Sequence, residues 1–264
     1  MPVQDLTVLV LVRDVEEILP RCLESVAWAD DIFCVVDPRS KDQSAEVARK
    51  YTEHVVDHEF FNPGHQRNWA IPQIKTEWTL VLDSDEWVSD PLAKRIQALV
   101  RDPNSVDAYS IKRDNYFFGK LIRHCGWHRD YNLRLFRTNK GRYQRKRAHE
   151  KILIEGNPLI ASIREPMFHD SYRSFSEYYI GIERFSTWGA EDLYEKGRHA
   201  SFADLALRPL IRFFKMYVLR HGFLDGYHGL VLCGLAACSV FLKYAKLWNL
   251  WRLDKEGKVE LSEN

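Results

Sequence analysis

The sequence contains few cysteines, and none of them lies in a Cys-x-x-Cys pair. Its 264 residues include five cysteines, an odd number. A disulfide framework and a cysteine-based zinc site both require suitably spaced cysteines in larger number. We therefore expect reduced thiols, no zinc site and a cytosolic compartment.

An excess of charge of one sign is also missing. The chain has 38 Lys and Arg against 37 Asp and Glu, a formal net charge of +1, so the overall charge gives no reason to expect nucleic-acid binding. Residues 1–12 lack the basic segment and the small-residue cleavage site of a signal peptide, and we interpret them as the start of a first strand. No repeat or low-complexity segment is present, and 45% hydrophobic with 28% charged residues is typical of a folded protein.

Apolar, β-branched runs alternate with helical patterns over the first 100 residues. Strands are predicted at 7–12, 31–36, 54–57 and 78–82, with helices between them and a further helix at 90–100. This alternation predicts an α/β fold with a mostly parallel sheet and helices on both faces. Shorter strands are predicted beyond it, at 108–112, 131–136 and 151–155.

The apolar run Thr79-Leu80-Val81-Leu82 ends in the acidic stretch Asp83-Ser84-Asp85-Glu86. At the carboxyl end of a strand, Asp83 and Asp85 would face the crevice in which open α/β sheets hold ligands. Two carboxylates at this spacing can share one hard divalent cation, with phosphate oxygens completing its coordination. A solvated acidic turn is the alternative interpretation.

Acidic residues also follow the first two strands. Asp14 comes after strand one and Asp37 after strand two, so we expect both at the same sheet edge as Asp83 and Asp85. That edge would bind a nucleotide base and ribose at Asp14 and Asp37, and a diphosphate with its metal at Asp83 and Asp85. Taken singly, each Asp is more often a helix cap or a turn residue.

Aromatic and cationic side chains alternate in residues 115–131, which include Trp127 and Tyr131. This mixture suits a sugar or phosphosugar acceptor, and it equally suits the packed edge of a core. Arg134, on the following strand, is a candidate for balancing phosphate charge or binding a phosphorylated acceptor; a solvated strand-end arginine is the alternative.

The C-terminal third is predicted to be helical and locally basic. Ser174-Phe175-Ser176-Glu177 is a capping-box pattern, and Gly197 is the predicted end of that helix. From Arg198 to Arg252 there are eight Lys and Arg against two acids.

The segment 201–221 is predicted to be an amphipathic helix that lies in a lipid interface. Its cationic face would consist of Arg208, Arg212 and Lys215, and its apolar face of Ala206, Leu210, Phe213, Phe214 and Tyr217. Residues 229–242 are fourteen residues without charge, shorter than the roughly 20 needed to span a bilayer. These patterns favour a monotopic membrane association. A helical subdomain packed on the catalytic core or on a dimer partner is the alternative.

Eight stretches between about residues 5 and 252 resemble family-2 glycosyltransferases of the GT-A fold, most closely the lipopolysaccharide core β-glucosyltransferases of Gram-negative bacteria. They are Arg21-Cys22-Leu23-Glu24-Ser25-Val26, Trp28-Ala29-Asp30, Gln66-Arg67-Asn68, Leu82-Asp83-Ser84-Asp85-Glu86-Trp87, Arg134-Leu135-Phe136-Arg137, Ala148-His149-Glu150-Lys151, Tyr172-Arg173-Ser174 and Gly222-Phe223-Leu224-Asp225-Gly226.

The resemblance implies an inverting, metal-dependent transferase that moves a hexose, glucose in the relatives, from a UDP-sugar to the lipopolysaccharide inner core. An inverting transfer needs a base that takes the acceptor hydroxyl proton, and Glu150, oriented by His149, is the candidate. The remaining implied residues are the Mg²⁺ or Mn²⁺ ligands Asp85, Asp83 and His169, and the donor-pocket residues Asp14, Asp37, Asp83, Gln66, Arg67 and Asn68.

The implied organisation is a GT-A catalytic domain at 1–172, with a donor half at about 1–100 and an acceptor half at 101–172. A helical membrane-associating region at 173–253 and a polar tail at 254–264 follow. The implied partners are a nucleotide-sugar donor, a lipid-linked oligosaccharide acceptor and the cytoplasmic face of a bacterial inner membrane. A homodimer is left open.

Two departures from the family pattern concern the donor site. The family commonly has Asp-x-Gly-Ser-x-Asp after strand two, whereas Asp37-Pro38-Arg39-Ser40-Lys41-Asp42 has no glycine. The Asn usual after strand one is Asp14, which donates no hydrogen bond when ionised. Two alternatives therefore stand beside the main hypothesis: a polyprenyl-phosphate-linked or capsule acceptor, and a non-catalytic sugar-nucleotide-binding scaffold.

Overall fold

The structure is a computed structural model that describes residues 5–144, 151–259 and 261. Two compact units divide the chain. The first comprises the described residues of 1–114 and 129–169, and the second those of 115–128 and 170–264. All five cysteines lie in the described part and are free thiols, as expected.

Strands and helices are numbered here in chain order. The strands are β1 Leu6–Val12, β2 Asp31–Val36, β3 Val55–Asp57, β4 Trp78–Asp83, β5 Glu86–Val88, β6 Ala108–Phe117, β7 Lys120–Leu121, β8 Asp130–Arg137, β9 Gly141–Tyr143, β10 Ile152–Ile154 and β11 Ile160–Tyr172. The α-helices are α1 Leu19–Glu24, α2 Ser44–Arg49, α3 Pro63–Ala70, α4 Asp90–Val100, α5 Phe175–Glu195, α6 Phe202–Phe214 and α7 Gly226–Lys255.

The main sheet has the strand order β3-β2-β1-β4-β8-β6-β11-β5, with β7 paired to β6. β1 lies between β2 and β4 and pairs in parallel with both. The parallel sheet predicted for the first 100 residues is confirmed, and β8, β6 and β5 extend it with antiparallel pairs. Strands β9 and β10 form a separate antiparallel pair.

Successive side chains of β1 enter two different cores, because side chains alternate across a strand. Val8 and Val10 pack with Leu80 in the cluster that includes α1, α2 and α4. Leu9 packs in a second cluster that includes residues of α3 and β8. The sheet is thus covered on both faces, which explains why its central strands are nearly continuous apolar runs.

Three strands that lie wholly or mainly in the first unit, β5, β9 and β11, were not predicted from the sequence. β11 is 13 residues long, but Arg164, Glu165 and Pro166 interrupt its apolar pattern, and proline is a weak strand residue. β5 has only three residues and pairs with β11 in the register His169 to Glu86. This pairing carries the His169 backbone to the turn that follows β4.

Helix ends in the second unit follow the predicted capping residues. The Ser174 Oγ accepts a hydrogen bond from the Glu177 N–H at 3.2 Å at the start of α5. Gly197 follows the end of α5 with φ +66°, a conformation that glycine adopts at little cost. At α5 the Glu177 carboxylate accepts the Arg173 N–H, so only half of the predicted capping box forms, whereas α6 begins with a complete capping box of Ser201 and Asp204.

Helix α7 is longer than the uncharged run in its sequence. It has 30 residues, and with the turn before it, it is long and apolar enough to cross a membrane by length and composition. The prediction that this segment is too short to span a bilayer considered only the uncharged run 229–242, whereas the helix continues through Lys243 and Lys246. The Lys246 ammonium is accommodated by the Glu183 carboxylate at 2.9 Å.

The predicted apolar face of α6 combined two different faces. Phe213 and Tyr217 pack inward with Met216 in the core of the second unit. Leu210 and Phe214, which were assigned to the same face, are exposed. The prediction was wrong here because both faces are apolar, and periodicity alone does not tell which of them packs.

Candidate functional site

Carboxylates gather at the carboxyl ends of the parallel strands in the first unit. The register aligns Val12 with Val36 and Leu11 with Asp83, so β1, β2 and β4 end at one edge of the sheet. The residues that follow these strand ends include Asp14, Asp37 and Asp85.

Asp37 is buried and ion-paired with two arginines. Its Oδ1 accepts hydrogen bonds from Arg39 Nε at 3.0 Å and from the Arg39 N–H at 3.1 Å, and its Oδ2 lies 3.1 Å from an Arg13 guanidinium nitrogen. Burial would raise the pKa of this carboxyl, but the Arg39 hydrogen bonds and the two guanidinium charges outweigh burial and lower the pKa. Asp37 is therefore an anion whose oxygens already have cationic partners.

Asp14 stabilises the loop after β2. Its backbone has φ +49°, a left-handed conformation that Asp and Asn tolerate better than most residues. The Lys41 N–H donates to its Oδ1 at 2.6 Å, and the Asp14 N–H donates to Ser40 Oγ at 2.9 Å. The side chain is nevertheless about half exposed.

Asp83, the last residue of β4, bridges two arginines. Arg67 donates to its Oδ1, and Arg134 donates to its Oδ2 at 2.7 Å. Burial opposes ionisation of Asp83, but the charges of Arg134 and Arg67 prevail and hold its pKa well below the usual range. Arg134 is thus buried beside an acid and is not a solvated strand-end residue.

Glu86 is a member of this group that the sequence analysis did not assign a role. Its side chain is fully buried and accepts hydrogen bonds from Arg134 at 2.7 Å, Arg113 at 3.0 Å and the Asp83 N–H at 3.0 Å. Arg113 also donates to Asp130 at 2.8 Å. A glutamate directly before the apolar pair Trp87-Val88 was the available signal, since a buried carboxylate needs charged partners.

Six of these side chains form a network in which opposite charges alternate; Arg67, Arg134 and Glu86 are buried in it, and the other three members are partly exposed. Its members, in order of contact, are Arg67, Asp83, Arg134, Glu86, Arg113 and Asp130. Three cations compensate three anions, which is the condition under which buried charges are tolerated. The network fixes the geometry of the turn between β4 and β5, on which Asp85 lies.

Asp85 is held differently from the other acids. Its Oδ1 is buried and accepts no hydrogen bond from a residue that the structure describes. Its Oδ2 lies 3.4 Å from Nε2 of His169, because the β5–β11 register brings His169 beside the turn. A buried carboxylate oxygen with no donor is a position that a cation would satisfy.

Asp85 and His169 fit a divalent metal that takes its other ligands from a bound molecule. Carboxylate oxygen and imidazole nitrogen are both ligands for first-row divalent ions. Across the residues that the structure describes, no three His, Cys, Asp or Glu side chains converge into a complete metal cluster. Phosphate oxygens and water would have to supply the remaining positions, as is usual for Mg²⁺.

The predicted donor residues on α3 have structural partners in the same unit. The Gln66 Nε2 donates to the His58 carbonyl at 2.7 Å, and its Oε1 lies 2.8 Å from His58 Nδ1. Asn68 binds the backbone N–H and carbonyl of Tyr143 at 2.8 and 3.0 Å. The Arg67 guanidinium lies over the Tyr143 ring at 4.9 Å and binds Asp83. Of the three, Arg67 is the residue whose side chain contacts an acid of the sheet edge.

The predicted acceptor residues fall in different units. Tyr131 is on β8 of the first unit and is 43% exposed. Trp127 belongs to the second unit, where its ring meets Phe117 edge-on with centroids 6.2 Å apart. Glu150 and His149 lie outside the described residues.

The fold and this edge define a class of protein. A Rossmann-like α/β sheet whose fourth strand ends in Asp-x-Asp, beside a histidine from an antiparallel strand, is a GT-A-type fold. The chain belongs to glycosyl transferase family 2, whose sequence pattern matches residues 7–159.

Relatives that match most of the chain are also named glycosyltransferases. The lipopolysaccharide core biosynthesis glycosyltransferase LpsC of Rhizobium meliloti is 25% identical over 98% of each chain. An uncharacterized glycosyltransferase of Rickettsia bellii is 25% identical over 88% of this chain and 82% of its own. Among solved structures, residues 1–349 of TarS from S. aureus superpose with a TM-score of 0.47 at 16% identity, over 95% of this chain and 92% of that one.

Proposed function

We propose that the protein is a metal-dependent, inverting hexosyltransferase of lipopolysaccharide core assembly. It transfers a hexose, glucose as the first candidate, from a nucleotide diphosphate sugar, UDP-sugar as the first candidate, to a lipid-linked inner-core oligosaccharide. Family membership supports the transfer reaction, and the name of the full-length relative LpsC supports the acceptor class.

The observation that carries this proposal is the arrangement of Asp85 and His169. A buried carboxylate oxygen without a donor, and an imidazole nitrogen 3.4 Å from the other oxygen of the same carboxylate, support Asp85 and His169 as two protein ligands of one cation. A bound Mg²⁺ or Mn²⁺ would neutralise the diphosphate and stabilise it as the leaving group.

Further residues would orient the donor and move the proton. The network keeps Asp83 ionised next to the metal ligands, and Arg67 and Arg134 would add positive charge close to the diphosphate position. Glu150, oriented by His149, takes the proton from the acceptor hydroxyl as that oxygen attacks the anomeric carbon from the side opposite the diphosphate. Trp127 and Tyr131 are the proposed acceptor contacts.

The acceptor is embedded in a bilayer, and we place the protein at the cytoplasmic face of the inner membrane, held there by its C-terminal helices. The long apolar helix α7 supports membrane association. This location gives the site access to both a soluble donor and a lipid-anchored acceptor.

The test is transfer of radiolabelled hexose from a panel of UDP-, GDP- and dTDP-sugars to inner-core lipooligosaccharide, with Mg²⁺, Mn²⁺ or EDTA. We expect label in the lipooligosaccharide fraction, dependent on the metal and abolished by EDTA. Label in a polyprenyl-phosphate fraction would replace the acceptor, and metal-independent transfer would refute the metal role.

A second candidate function is donor binding without transfer, as part of an envelope assembly complex. The observation that favours it is the ion-paired state of Asp37, whose oxygens are occupied by Arg13 and Arg39. Calorimetry that detects donor binding, together with no turnover on any acceptor, would favour this function.

A further inference from the structure

The surface of α6 has a property that packing within the second unit does not explain. Of its thirteen residues, all of which the structure describes, none is fully buried. Large apolar side chains are 53 to 85% exposed along it, namely Phe202, Leu207, Leu210, Ile211 and Phe214. Soluble monomers rarely expose contiguous apolar surface of this kind without a binding role.

Four of these side chains, without Phe202, form one stripe, and cations form the next. At 100° per residue, positions 207, 210, 211 and 214 fall within one apolar sector of the helix. Arg208, Arg212 and Lys215 fall in the adjacent sector and are also exposed. The Arg208 guanidinium pairs with Asp204 and lies 5.2 Å from the Tyr244 ring, which holds it at the border of the apolar stripe.

We infer that α6 is an in-plane docking helix for the surface of an anionic lipid bilayer. Its apolar stripe enters the boundary between headgroups and acyl chains, and Arg212 and Lys215 bind acidic headgroups. Charge complementarity selects this partner, because a hydrophobic protein groove would match the stripe but would leave the parallel row of cations without counter-charges. The inference rests on the membrane association proposed above and specifies the helix and the lipid class, but it does not depend on the donor or acceptor of the proposed reaction.

The stripe is also positioned to act independently of α7. The inner face of α6, with Phe213, packs against the core of the second unit, so the opposite face is presented as a rigid surface. α6 ends in a π-helical segment, Lys215–Leu219, and Leu219 remains 63% exposed. Exposed apolar side chains therefore continue past the helix end.

The experiment is flotation of the full-length protein with vesicles of phosphatidylcholine alone or with phosphatidylglycerol added. Leu210→Glu is expected to weaken binding by about tenfold or more. Arg212→Gln with Lys215→Gln is expected to remove the preference for anionic vesicles, at roughly fivefold for each cation. Leu159→Glu is the matched control, because Leu159 and Leu210 are both 67% exposed and Leu159 lies in the first unit.

A second measurement covers the case in which α7 alone holds the protein on the vesicle. Cys238 is exposed and the other four cysteines are buried, so Leu210→Cys in a Cys238→Ser background places one reactive thiol on the stripe. An environment-sensitive fluorophore there is expected to shift to the blue with anionic vesicles, whereas one at Leu159→Cys is not. The absence of a shift at position 210 would overturn the inference. It would also be overturned if light scattering showed a dimer and Leu210→Glu dissociated that dimer without changing vesicle binding.

Discussion

The carboxyl ends of β2 and β4 hold the same kind of side chain in two different ways. At the end of β2, Asp37 is fully buried, and Arg13 and Arg39 occupy its oxygens. After β4, Asp85 keeps one oxygen without a donor among the described residues. The edge therefore has a compensated end and an open end. Among the described residues, the open end offers a cation a carboxylate oxygen that has no donor, whereas both oxygens of Asp37 already have guanidinium partners.

The largest expected effect is at the open end. Asp85→Ala removes the oxygen that has no donor, and we expect transfer to fall by about 10³-fold or more, the scale of losing one electrostatic contact to the transition state. Mn²⁺ binding in the presence of nucleoside diphosphate, measured by electron paramagnetic resonance, should be lost in parallel. Asp90→Ala, an exposed acid at the start of α4, is the control. Unchanged Mn²⁺ binding in the Asp85 variant would show that the open end is not a metal site.

The next effect concerns the network beneath the open end. Arg134→Met removes a buried cation and leaves Asp83 and Glu86 undercompensated, so we expect the free energy of unfolding to fall by about 3–5 kcal/mol. Arg137→Met on the same strand is the matched control. Its partner Glu77 is 55% exposed, and we expect a loss of about 1 kcal/mol. Urea unfolding at pH 7 measures both, and equal losses would mean that the network does not stabilise the turn.

A smaller effect is expected at the compensated end. Arg39→Ala should lower stability at pH 7 by about 1 kcal/mol, because the arginine is half exposed and solvent screens its ion pair. The wild-type Asp37 pKa lies below its ordinary value of 3.8. The ion pairs therefore stabilise the fold above that value, and the stabilisation is lost as pH falls through the lowered pKa.

The variant should consequently begin acid unfolding at a higher pH than the wild type, as followed by circular dichroism. Arg142→Ala provides a control with similar exposure, 43% against 49%, and should leave the acid midpoint unchanged. Arg39→Ala also frees Asp37 to contact a nucleotide base, so we expect this variant to change the order of affinities across UDP-, GDP- and dTDP-sugars. An unchanged order would argue that the Arg39 clamp does not affect donor choice.

The acids that follow β4 were largely predictable from the sequence, and the arginines that pair with them were not. An apolar run that ends in Asp83 and Asp85 identifies a buried strand and the acids that follow it, because strand burial is encoded locally. The partners of Asp83 and Glu86 come from β6, β8 and α3, whose pairing depends on long-range register.

Side-chain pairing at short range was missed for another reason. The sequence shows that the loop after Asp37 lacks the usual glycine, but it does not predict that Arg39 pairs with Asp37. That contact depends on the turn conformation of the loop. Leu210 and Phe213 show the same limit in α6, where both faces are apolar and tertiary packing decides which one is buried. His169 was proposed as a metal ligand only because of the family resemblance. Its contact with Asp85 requires β11, which the sequence does not predict because a proline and charged residues interrupt its apolar pattern.

The smallest effect is expected at Asp14. Substitutions there test whether the charge of this side chain or its left-handed backbone matters for the loop beside Asp37. Asp14 has φ +49° and accepts the Lys41 N–H through Oδ1, and an asparagine tolerates the same backbone and offers an amide oxygen at the same place. Asp14→Asn should therefore change the free energy of unfolding by less than about 0.5 kcal/mol. Leucine adopts the left-handed conformation poorly, so Asp14→Leu should lower the free energy of unfolding by about 1–2 kcal/mol. Urea unfolding measures both, and donor affinity should change less in Asp14→Asn than in Arg39→Ala. The reverse order would mean that the acid after β1 influences donor binding more than the arginine clamp on Asp37 does.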